Sequence, residues 1–141
     1  MKAHSKLIEN MNHISINSNF NNILHIEIKA TVFIYKIGSI NYIDVPSFNI
    51  QTFVDSMSEA EIAIKEALTC YFVACESHGE GIEKELKMSS WVPLVENKLP
   101  IFDAGLEYEY KGKCGPNTEY FPQGINLEKF DYHFLIDLPK K

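Results

Sequence analysis

The side chains able to do chemistry are few, and their spacing limits what they can do. Five histidines, His4, His13, His25, His78 and His133, stand far apart in the chain, whereas zinc sites draw His and Cys ligands from short, fixed separations. The three cysteines, Cys70, Cys75 and Cys114, form no C-x-x-C pair. Cys70 and Cys75 are five residues apart, about 140° around a helix axis, so they cannot share a ligand. Cys114 lies in the turn KGKCGPN with no His near it in sequence, and there is no G-x-S-x-G elbow, so no nucleophile has an adjacent base. The glycine groups at 79–81 and 111–115 lack the spacing of a phosphate-cradling loop. Carboxylates on a strand and a helix can hold two divalent metals for hydrolysis. Glu27 with Glu61 or Glu66 is the nearest such set. Yet Glu27 falls opposite the apolar row of its strand and Glu66 falls opposite the apolar stripe of its helix, which makes solvated charges the expected reading. No cofactor, metal or catalytic residue is therefore expected.

One feature is more specific. All 13 basic residues are Lys, with no Arg, against 19 Asp and Glu, a formal net charge of −6. Between residues 55 and 85 stand eight acids, Asp55, Glu59, Glu61, Glu66, Glu76, Glu80, Glu83 and Glu85, against Lys65 and Lys84. That stretch equals the net charge of the whole chain. Its field attracts basic partners and repels nucleic acid, and a chain without Arg lacks the side chain best suited to bidentate phosphate and guanine contacts. DNA binding by this chain alone is disfavoured. On the helix face opposite the core lie Ile62, Thr69 and Val73, flanked by Glu59, Glu66 and Glu76, an exposed apolar strip with an acidic rim that suits a protein partner. The alternatives are isolated surface apolars, or cover by the C-terminal half of the chain.

The elements that must carry these residues follow from periodicity. Residues 1–22, rich in Asn, Ser and His, read as a weakly ordered lead-in, or an added edge strand. In residues 24–37, Ile26, Ile28, Ala30, Val32 and Ile34 alternate with polar residues, the pattern of a half-buried strand. Phe33, Tyr35 and Ile37 suggest that its second half is covered on both faces. Gly38 and Ser39 turn it into INYIDV, which ends at Pro46. IQTFVD is a third strand, leading into a helix over 56–79. Ser56 with Glu59, or Ser58 with Glu61, forms a capping box, and Gly79 supplies the stop. Ala60, Ile64, Ala67, Leu68, Tyr71, Ala74 and Cys75 make its sheet-facing stripe. A short acidic helical turn, GIEKELKM, follows, and beyond Trp91 only strand-like pieces appear: VPLVEN, LEYEY and DYHFLIDL. The expectation is one α+β domain over 23–141: a three-strand antiparallel meander, a long helix and a further strand, with a β-rich extension at 92–141. No stretch reaches membrane-span length and the start lacks the apolar core of a signal peptide, which predicts a cytoplasmic protein.

The hairpin VFIYKIGSINYIDVPSF, the strand after it, and the helix DSMSEAEIAIKEAL followed by Trp91 together resemble the HicB-like antitoxins over residues 24–91. The resemblance implies a partly degraded ribonuclease H-like fold and a role in neutralising a basic, messenger-RNA-cleaving toxin by covering it, often as a homo-oligomer. The chain departs from that pattern where Phe53 and Val54 precede the helix in place of Gly, and where Ser90 precedes Trp91. It also lacks a C-terminal DNA-binding helical motif, so the resemblance does not carry operator binding. Two other classes compete: a homo-oligomerisation domain using Ile62 and Val73, and a residual metal-dependent nuclease.

Overall fold

The computed structural model describes residues 12–18, 22–94, 106–113, 115 and 124–139. The fold is α+β, with a mostly antiparallel seven-stranded sheet and one long helix. Its strands are β1 (His13–Ser18), β2 (Ile23–Ile37), β3 (Ile40–Val45), β4 (Ile50–Val54), β5 (Trp91–Pro93), β6 (Leu106–Tyr110) and β7 (Leu127–Pro139); the helices are α1 (Ala60–Ser77) and α2 (Ile82–Met88).

The 15-residue β2 organises everything else. β7 runs antiparallel along one edge of it, from Ile23 against Pro139 to Tyr35 against Leu127. The opposite edge must therefore serve two strands in turn. β1 occupies it over residues 24–29 and β3 over residues 33–37. The sheet thus forks into a β3–β4 branch and a β1–β6–β5 branch. In the crotch of the fork β2 has no described strand on that edge, and a side chain takes the place of one. Asn12, 3% exposed, accepts from the Thr31 backbone N–H at 3.0 Å through Oδ1 and donates to Thr31 Oγ1 at 3.4 Å. Thr31 Oγ1 in turn donates to Asp131 Oδ1 at 3.2 Å. The buried amide is satisfied as a ladder bond would have satisfied it.

The even-numbered residues of β2, from Ile26 to Ile34, are buried together with Ile14 and Ile16 of β1 and Phe134, Ile136 and Leu138 of β7. Onto this face α1 lays Ala60, Ile64, Leu68, Phe72 and Cys75. Compared with the stripe expected from the sequence, the buried face is rotated toward Phe72: Ala67 and Tyr71 are half-buried and Ala74 is exposed. Phe48, on the turn after β3, meets Tyr71 edge-on at 5.3 Å and Phe72 at 5.9 Å. Phe48 also lies 5.1 Å from Trp91, whose Nε1 donates to the Ser47 carbonyl at 3.0 Å. Trp91 belongs to β5, so this contact ties the far end of one branch back to the other.

Several local expectations change. Residues 13–18 are no lead-in: they form β1, an interior strand between β2 and β6, with Ile14 fully buried. Residues 1–11 lie outside the described residues. The helix start is a 3-10 turn in which the Ser56 hydroxyl accepts from Ser58 N at 3.4 Å and the Ser56 carbonyl accepts from Glu59 N at 3.0 Å, in place of the reciprocal capping box. Gly81, at φ +99°, takes the positive-φ position after the helix, where Gly79 was expected to. Gly79 is small for another reason: a Cβ there would stand 2.7 Å from Glu85 Oε1. LEYEY is β6, DYHFLIDL lies within the longer β7, and of VPLVEN only Val92 and Pro93 belong to a described strand, β5. Residues 95–105 and Cys114 lie outside the described residues.

Candidate functional site

The side of α1 turned away from the sheet carries the candidate surface. Glu59, Ile62, Glu66, Thr69, Val73 and Glu76 follow one another at intervals of three and four residues, a spacing that keeps them in one seam along a helix. Ile62 is 64% exposed and Val73 44% exposed. Glu59, Glu66 and Glu76 are exposed, and Thr69 is half-buried with its hydroxyl donating to the Lys65 carbonyl at 2.8 Å. The six residues therefore share a face, and that face is open.

The acids that follow are not all free. Glu80 pairs with Lys84 at 3.0 Å. Glu85 Oε1 accepts from Glu80 N at 3.4 Å and so helps close the link from α1 to α2. Glu83 accepts from the Tyr108 hydroxyl at 3.3 Å. Burial, with the adjacent Glu83 charge, pushes that phenol up to about 12, so it stays a donor at physiological pH. Glu83 and Glu85 thus serve the fold, while Glu59, Glu66 and Glu76 point their charge outward.

Two thiols are described. Cys75 is buried and Cys70 exposed, both free. Burial pushes the Cys75 thiol up, away from the reactive thiolate.

The carboxylates singled out for metal chemistry do not converge. Glu27 sits on the sheet face away from α1, where its Oε2 lies 2.8 Å from His133 Nε2. Glu61 and Glu66 belong to α1, across the sheet from it. Among the described residues no three His, Cys, Asp or Glu group into a metal site.

That outer sheet face holds features the sequence reading did not anticipate. Three His and carboxylate pairs line it: His13 with Glu107 at 3.2 Å, His25 with Asp137 at 2.6 Å, and His133 with Glu27 at 2.8 Å. Beyond them the meander exposes aromatic rings. Tyr35 stacks on Tyr42, with ring centroids 5.4 Å apart and planes 13° apart, and Tyr42 meets Phe53 at 6.2 Å. Phe53 is 63% exposed. On the outer face of the second half of β2, Phe33 and Tyr35 are half-buried, and Asp44 beside Phe33 is buried. The signal was present in the strand sequences: Phe33, Tyr35, Tyr42 and Phe53 all fall on the face opposite the Ile row.

No family model, no curated protein and no solved structure matches this chain. No described helix is long and apolar enough to cross a membrane.

Proposed function

We propose that the chain is a non-catalytic protein-binding domain, antitoxin-like in action, that neutralises a basic, messenger-RNA-cleaving toxin in the cytoplasm by direct contact through α1. The observation that carries this reading is the open seam of α1, where Ile62 and Val73 offer apolar surface inside a rim of Glu59, Glu66 and Glu76. The apolar pair supplies burial on docking and the rim selects a cationic partner and speeds encounter. The HicB-like resemblance of residues 24–91 supplies the identity of the partner class.

A second copy of the chain competes for the same seam. Antiparallel contact between two such seams would bring six glutamates together, and like charges across an interface oppose association. The rim therefore favours a basic partner over self-contact on this face, and leaves any homo-oligomer to use other surfaces.

The test is co-expression with a small basic protein, should one be encoded beside this chain's gene, followed by titration of the purified pair; absence of any such partner would count against the reading. Binding is expected to weaken by at least about a hundredfold in the Ile62→Asp, Val73→Asp double variant, and to weaken as salt is raised. Full binding by the double variant, or retention of the toxin's nuclease activity in the complex, would overturn the reading. Turnover of RNA by the chain itself with Mg²⁺ or Mn²⁺ would replace it with the nuclease.

A further inference from the structure

Three described strands end the sheet, and two of them are blunted by their length. β4 has five residues and β5 three. β7 has 13, and every strand partner it has among the described residues lies in β2, along one side. No described hydrogen bond leaves its other side. The N–H and C=O groups of an open edge are a template for another strand, and proteins guard such an edge with lysine, with proline or by keeping it short. β7 is not short, it carries one lysine, Lys129, and its one proline, Pro139, is its last residue. Between them Leu135 is 62% exposed on the outer face. On the inner face the rings of Phe130, Tyr132 and Phe134 follow one another at 6.0 and 5.6 Å, and the first two are only half-buried.

The sequence of β7 is complementary to itself when reversed. Antiparallel strands set residues of the same face opposite each other. Two copies of β7 related by a twofold axis at Tyr132 therefore place Asp131 opposite His133 twice and Phe130 opposite Phe134 twice, with the two Tyr132 rings meeting at the axis. Lys129 then faces Leu135 and Leu127 faces Asp137, so no like charges are opposed. An axis at Asp131 would set two Asp131 carboxylates against each other. An axis at His133 would oppose two imidazoles and bring Pro139, which has no N–H, into the ladder. The axis at Tyr132 uses residues 127–137 in full and leaves Pro139 outside. Opposed aromatic and opposite-charge pairs are what stabilise neighbouring strands, and a twofold contact closes on itself, so both edges are consumed and no open stack can grow. We infer that β7 is a self-association edge: a second copy of this chain adds its β7 antiparallel about Tyr132 and joins two seven-stranded sheets into one. The contact is made by strand edges and does not use the α1 seam.

The test is sedimentation equilibrium of the full chain and three variants. The parent is expected at twice the mass of one chain at about 0.1 mM, since one strand from each copy makes a small interface. Leu135 is exposed, so it can be replaced without opening the core. Leu135→Lys sets a like charge across from Lys129 of the second copy, twice, whereas Leu135→Glu sets an acid there. The lysine variant should therefore dimerise at least about tenfold more weakly than the glutamate variant. Within one chain the preference is reversed, because residue 135 also faces Glu27 of β2. Loss of the dimer by Leu135→Lys thus cannot come from a weakened fold. The Ile62→Asp, Val73→Asp double variant is expected to dimerise like the parent. The inference fails if the parent is still monomeric at about 1 mM, if Leu135→Glu dimerises no better than Leu135→Lys, or if the α1 double variant is monomeric. A monomeric parent would leave the α1 reading untouched, whereas a dimer broken only by the double variant would move self-contact to α1 and count against the basic partner there.

Discussion

At the scale of single residues, Asp44 makes a prediction whose sign is unusual for an acid. Burial raises its folded carboxyl above the ordinary 3.8, so the folded state holds a proton that the unfolded chain has already released. Its charge therefore opposes folding at neutral pH, and the penalty is relieved as pH falls through the raised value, fully so below 3.8. Asp44→Asn is expected to stabilise the chain by about 1 kcal/mol at pH 7, because a buried charge is removed. That advantage should shrink toward acid, which urea unfolding at pH 7 and pH 4 would measure; an advantage constant with pH would show that the acid is not the cause. Asn12 is the opposite case. Asn12→Ala leaves the buried Thr31 N–H without its 3.0 Å acceptor and should destabilise by about 1 to 3 kcal/mol. Neither residue could be read from sequence. Asn12 looks like one of many asparagines in a polar leader, and Asp44 looks like an ordinary polar position in an alternating strand; each has its meaning only once neighbouring strands are in register.

At the scale of elements, the sequence was clearest where one period ran long enough to stand out. The β2–β3 hairpin appears where alternation and Gly38 placed it, and β6 and α2 match LEYEY and GIEKELKM. Ile62 and Val73 are exposed on α1. β1 was foreseen only as an added edge strand, the alternative to a lead-in, because six residues with two isoleucines give a weak pattern; it is interior because β2 and β6 flank it. The rotation of α1 had a similar cause: helix periodicity allowed Tyr71 or Phe72 to face inward, and the aromatic ring of Phe48 packs edge-on against both, with Phe72 the one fully buried. The two faces of α1 should answer differently to substitution. Phe72→Ala empties a fully buried ring position and should destabilise by about 3 to 5 kcal/mol. Ile62→Asp, on the open seam, should change stability by no more than about 0.5 kcal/mol. Thermal unfolding of both variants checks this; a large loss from Ile62→Asp would mean that the seam belongs to the fold and not to a partner.

At the scale of the whole molecule, the forked sheet makes sequence-distant segments depend on one another. Among the described strands β5 and β6 reach β2 through β1, so the short leader strand holds that branch of the sheet in place. The return contact is Trp91, whose ring and indole N–H meet Phe48 and the Ser47 carbonyl on the other branch. No local pattern could announce this closure, since its partners are 44 residues apart. The fork predicts one cooperative unit that fails from its leader. Removing residues 1–19 strips β1 from the edge of β2 over 24–29 and from the whole of its ladder with β6. It exposes Ile28, Tyr108 and their neighbours, and leaves Trp91 on a strand whose described sheet partner, β6, has lost its support. The truncated chain is expected to lose its single sharp thermal transition and its protected amides in β5 and β6, while the parent keeps both. Hydrogen exchange of the two chains decides it. Retained protection in β6 without β1 would mean that the Trp91 clasp alone holds the second branch, and that the fork is two units joined at β2.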